Sequence, residues 1–120
     1  MIKMNIPNCI KEKPMNKYTV DDCVFIVLHK AYLKNEWRMF HEIQQSIFNA
    51  YANTYGENYA RKRRFYGENT IAACVRNMRK LRCRESYNLP LDMNTEVVIK
   101  RKRKNSRGWE YKFNIKETLI

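Results

Sequence analysis

Asn69, Ala73, Arg76 and Asn77 fall opposite an apolar stripe when residues 68–83 are wound at about 100° per residue. The stripe is Ile71, Cys74, Val75, Met78 and Leu81. The chemistry available to the outward set is recognition rather than bond making. A guanidinium presents paired N–H donors, so Arg76 suits two neighbouring acceptors in one plane. A carboxamide carries a donor and an acceptor side by side, which gives Asn69 and Asn77 the complementary pattern. Ala73 is small enough to let the backbone come close to a partner, or to touch a methyl group. Lys80 and Arg84 extend this face with positive charge, and Arg79 and Arg82 widen it.

Further cations flank the segment. Arg61, Lys62, Arg63 and Arg64 precede it. Lys100, Lys102, Arg103, Lys104 and Arg107 follow it, within a run that also holds Arg101. The chain carries a formal charge of +12, and its distribution says more than its size. Residues 1–60 hold seven Lys/Arg against six Asp/Glu, whereas residues 61–120 hold seventeen against six. Such asymmetry points to a polyanionic partner, with nucleic acid first among them.

Side chains able to make or break bonds are not gathered in the sequence. Asp21, Asp22 and Glu42 lack the spacing of convergent carboxylates in a two-metal nuclease. His29 lies on an apolar helix face and His41 opens another helix. Neither joins Cys9, Cys23, Cys74 or Cys83 in a metal-ligand pattern, and no cysteine pair has CxxC spacing. No phosphate-cradling glycine loop or nucleophile elbow is present. The expectation is a non-enzyme without cofactor, metal or small-molecule substrate. The cysteines read as free thiols in a reducing cytosol. No secretory leader pattern or bilayer-length apolar run is visible, so a cytoplasmic location and no membrane partner are expected.

The elements that must position these residues follow from periodicity. The chain is 120 residues long and 44% hydrophobic, with fifteen aromatic residues, enough for one core. Residues 1–17 show no period and read as an arm that packs through Ile6 and Ile10. Thr19 suits an N-cap, with Asp21 and Asp22 at the positive end of the helix dipole. Val20, Cys23, Val24, Val27 and Ala31 then set a first helix over 19–34. Residues 37–40 form a link able to act as one short strand. A second helix covers 41–53, with Ile43, Ile47, Ala50 and Tyr51 on one face. Residues 54–66 are expected as a long loop or frayed helix extension. The third helix is expected over 68–83, followed by a connector in which Leu89 and Leu91 are a buried pair. A hairpin closes the pattern. Trp109, Tyr111, Phe113 and Ile115 alternate with polar residues, and the opposing strand from Thr95 becomes wholly basic toward its tip. A strand that loses its apolar face in this way projects from the core.

The run TIAACVRNMRKLR, then YNLPL, then a hairpin ending GWEYKFNI, resembles the winged helix-turn-helix family, in its bacterial and phage forms. The resemblance covers residues 18–116, leaving 1–17 as arm and 117–120 as tail. It implies an α+β fold with a three-helix core and a C-terminal β-hairpin wing, and binding of double-stranded DNA. The helix over 68–83 would enter the major groove, where arginine reads guanine O6 and N7 and asparagine reads adenine N6 and N7. Base contacts then fall to Asn69, Ala73, Arg76 and Asn77. Backbone contacts fall to Arg61, Lys62, Arg63, Arg64, Lys80, Arg84, Lys100, Lys102, Arg103, Lys104 and Arg107. The wing over 95–115 would lie on the backbone or in the minor groove. The long 54–66 segment departs from a tight turn between the second and third helices. A transcription regulator, an excisionase-like architectural factor and a replication-origin binder all fit the pattern. Homodimerisation through the first helix, arm or tail would pair with an inverted-repeat target. The competing readings are a winged-helix protein-interaction module and a binder of structured RNA, the latter drawing on Tyr55, Tyr59, Phe65 and Tyr66.

Overall fold

Helix α2 (Val20–Leu33) starts where the chain first offers a complete set of cap atoms. The Asp22 N–H donates to Thr19 Oγ1 at 3.1 Å, and the Thr19 N–H donates to Asp22 Oδ2 at 2.9 Å. This reciprocal box satisfies two amides that the helix itself leaves open. The computed structural model describes residues 6–62, 67–104 and 107–115. Before α2 come α1 (Asn8–Lys11) and a 3-10 turn (Met15–Lys17); after it come α3 (Phe40–Tyr55), α4 (Glu57–Lys62), α5 (Glu68–Asn77) and α6 (Leu81–Ser86). Strands β1 (Val98–Lys102) and β2 (Trp109–Phe113) form an antiparallel hairpin. The architecture is α+β, with a helical core and a C-terminal hairpin.

The core follows the apolar spacing. Val24, Phe25 and Leu28 of α2, Ile43 and Ile47 of α3, and Ile71, Cys74, Val75 and Met78 around α5 are buried together. Val97, Val98 and Phe113 seal them from the hairpin side. Phe25 lies at the centre, stacked on Tyr87 at 4.8 Å between ring centroids and tilted against Phe113 at 5.6 Å. The segment expected as an arm is partly folded: Ile10 is buried, Ile6 packs against the core, and Tyr51 Oη donates to the Met15 carbonyl at 2.7 Å.

The link before α3 acts as a one-residue strand. Arg38 and Tyr111 exchange backbone hydrogen bonds of 2.9 and 2.8 Å, so β2 is held on both sides. Glu42 starts α3 by accepting from the Met39 N–H at 2.8 Å. Gly56, at φ +92°, ends it, because that backbone conformation suits a residue without Cβ. The stretch after it holds α4, a short separate helix that buries Ala60, rather than only loop. Ala50, expected on the inner face of α3, is exposed.

The largest departure from the periodic reading is a break at Met78–Lys80. The single helix expected over 68–83 is two helices, α5 and α6, with Lys80 extended between them at ψ 144°. One side chain takes a backbone carbonyl at the break and another reaches from it to the hairpin. Arg84 Nε donates to the Arg79 carbonyl at 2.8 Å, and Arg79 Nη2 donates to the Val98 carbonyl at 3.1 Å. The turn swings Leu81 off the stripe, leaving it 48% exposed. The connector differs in a similar way: Leu89 is buried, whereas Leu91 is 57% exposed, so the two do not form a buried pair.

Asp22 does more than cap. Its carboxylate is buried and also accepts from Lys13 Nζ and Tyr87 Oη, each at 2.6 Å. Burial pushes the carboxyl up, but hydrogen bonds from Lys13, Tyr87 and the Thr19 backbone outweigh it and hold the group below its ordinary range. A carboxyl lowered in the folded state contributes stability above its unfolded pKa and loses it as pH falls through the folded value. The melting temperature is therefore expected to fall once pH drops below about 4. Asp22→Asn should lose about 1–3 kcal/mol at neutral pH and show a flatter acid dependence, read by thermal melts across pH. An unchanged acid profile would count against this role.

Candidate nucleic-acid interface

Helix α5 presents the residues first singled out in the sequence, though unequally. Asn69 and Arg76 are exposed. Ala73 is half-buried, as a small residue under a close approach should be. Asn77 is half-buried, and its Nδ2 donates to Asp21 Oδ1 at 3.3 Å, so one end of its amide is already engaged. Glu68 stands in the first turn of α5, where it complements the helix dipole and opposes an anion at that end.

The hairpin carries the second set. Its register pairs Lys100 with Tyr111, Arg101 with Glu110, and Lys102 with Trp109. Alternation puts Val98, Lys100 and Lys102 on one face with Phe113, Tyr111 and Trp109. That face runs from core to tip: Phe113 is buried, Tyr111 stacks on Phe40 at 4.4 Å, and Trp109 is 44% exposed with Lys100 Nζ 4.7 Å from its ring centroid. Lys102 and Lys104 are exposed, and so is Arg107. Arg103 is half-buried and its N–H donates to the Gly108 carbonyl at 3.2 Å. The opposite face is internally satisfied. Arg101 Nε meets Glu110 Oε1 at 2.6 Å and lies 4.2 Å over the Trp37 ring, and Lys112 contacts Asn35 and the same indole.

The remaining backbone-contact residues divide sharply. Lys80 is exposed in the turn between α5 and α6. Lys62 is exposed, and Arg61 is exposed while pairing with Glu57 at 3.4 Å. Arg63 and Arg64 lie outside the described residues. Arg84 does not belong to the surface at all. It is buried, and its guanidinium is divided among the carbonyls of Arg79, Pro90, Asp92 and Thr95 at 2.6–3.2 Å. It gathers the connector beneath the hairpin, and its burial keeps it from reaching a phosphate outside. Arg79, counted with the basic surface, is half-buried and spent on Val98.

Sequence reasoning passed over Trp109 as more than a strand residue. Its position first in an aromatic alternation, next to Gly108 and opposite lysines, was the available signal. Arg82, exposed on α6, remains available where Arg84 is not. Among the described residues no group of three or more His, Cys, Asp or Glu is placed to hold a metal ion. All four cysteines are free thiols. Burial, followed by a hydrogen bond with Asp21, pushes the Cys74 thiol up to about 12, which suits a packing role rather than nucleophilic chemistry. No helix of the described residues is long and apolar enough to cross a membrane. No protein-family model, curated protein or solved structure matches the chain.

Proposed function

We propose that the chain binds double-stranded DNA as a winged helix, with α5 in the major groove and the β1–β2 hairpin as the wing. The observation that carries this reading is the Arg79–Val98 hydrogen bond. It ties Arg79, two residues past the end of α5, to the start of β1, a link that a recognition helix and wing acting together would use. The order α2, strand residue, α3, α5, hairpin supports it too, with the short α4 and α6 interposed and Arg38 pairing to β2. Asn69 and Arg76, both exposed, would read base edges, with Ala73 allowing approach and Asn77 contributing its amide oxygen. Lys62, Lys80, Lys100, Lys102 and Lys104 neutralise phosphates.

Fluorescence anisotropy with labelled duplex DNA, single strands and RNA tests the reading. Binding to duplex is expected to be preferred and to weaken steeply with salt. Five neutralised phosphates would give a log–log slope of about −4.5. No duplex binding at low salt, or equal affinity for single strands, would overturn it. The RNA arm matters because Tyr55 is 40% exposed and lies tilted against Tyr59 at 4.6 Å near Arg61. A preference for RNA would move the function to that platform.

A further inference from the structure

A groove of about 670 Å³ runs between α2, α3 and the N-terminal segment, among residues that neither α5 nor the hairpin contributes. Its volume is in the range of small-molecule sites, about 300–1,000 Å³. Cys23, Ile26, Val27 and Ala31 line it from α2, and Ile47 and Ala50 from α3. The groove is chemically polarised along α2. Early in the helix its walls are mainly apolar, with Ile6, Ile10 and Tyr18 beside Asn53 and Thr54 from the end of α3. Toward the C-terminal end of α2 they carry Lys30 and Lys34, and Arg38 follows beyond the helix. No aspartate or glutamate is among the lining residues.

The lysines have a local role, since cations at a helix C-terminus complement the dipole. That role accounts for charge near the last carbonyls. It leaves unexplained a largely apolar channel that opens onto three cations, two of them beyond the last helical residue. Arg38 shares its charge with Glu36 at 3.3 Å, while Lys30 and Lys34 are exposed. We propose that this groove binds a medium- or long-chain carboxylate, its hydrocarbon tail along Ile26, Val27 and Ile47 and its head group at Lys30, Lys34 and Arg38. The site is independent of the DNA-binding surface, and its test does not involve nucleic acid.

Isothermal titration of the full chain with monomeric decanoate, dodecanoate and dodecanol reads the proposal directly. Saturable binding is expected at one site, tightening by about threefold to fourfold per added methylene. Dodecanol should bind several-fold more weakly than dodecanoate. The double variant Lys30→Met, Lys34→Met should erase that difference while leaving the methylene dependence. Ala50→Phe, at an exposed position of the wall, should block both ligands without moving the thermal melt. Absence of saturable binding, equal affinity for acid and alcohol, or unaltered binding by Ala50→Phe in a folded protein would each overturn it.

Discussion

Replacing Arg84 with methionine is expected to lower the unfolding free energy by about 3–5 kcal/mol. The guanidinium is buried and donates to four backbone carbonyls, and methionine would remove all four bonds at once. Three of them, at Pro90, Asp92 and Thr95, belong to the connector that delivers β1 to the core. The connector has little else to hold it, since Leu91 and Met93 are both 57% exposed. Arg84→Lys should recover less than half of the loss, because a single ammonium cannot span acceptors that the planar fork reaches together. Denaturant unfolding of the three proteins gives the measurement. A loss under about 1 kcal/mol for methionine would show that the carbonyls find other partners.

The second large effect concerns specificity. With the preferred site taken from selection on random duplex DNA, Arg76→Ala is expected to cost about 1–3 kcal/mol on that site and much less on unrelated sequence. Lys102→Ala should weaken every sequence alike and reduce the salt slope by about 1. The contrast rests on placement: Arg76 is exposed on α5, while Lys102 is exposed at the far end of β1. Anisotropy titrations on both sequences, at several salt concentrations, separate the two outcomes. Equal losses on all sequences for Arg76→Ala would remove α5 from the role of reader.

Local rules and long-range rules were not equally legible. The cap at Thr19, the apolar spacing of α2 and the alternation of β2 are written in neighbouring residues, and each element stands within two residues of its expected limits. The break at Met78–Lys80 is different. Helical periodicity counts only which face a residue occupies. It carries no information about side chains competing for the backbone, and Arg84 takes the Arg79 carbonyl while Arg79 reaches across to Val98. Arg84 looked like surface charge because a buried arginine without a carboxylate partner depends on carbonyls that converge only after folding. Asp22 was legible as a first-turn anion, yet its bonds to Lys13 and Tyr87 span nine and sixty-five positions. For the candidate site, the cations of the hairpin were recoverable as a group. Which of them are engaged was not, since Arg101 depends on Trp37 from a distant link.

The pairing of Arg38 with Tyr111 makes the hairpin a lever rather than a flap. Its fulcrum is the start of α3, because Arg38 immediately precedes Met39 and the Tyr111 ring rests on Phe40. A load applied at the lysine tip is carried by β2 to that joint, and the α3 helix takes up the reaction. Any displacement of the hairpin tip and the seating of α3 on α2 are thus mechanically linked, and stiffness at residues 38–40 sets how far the tip can swing.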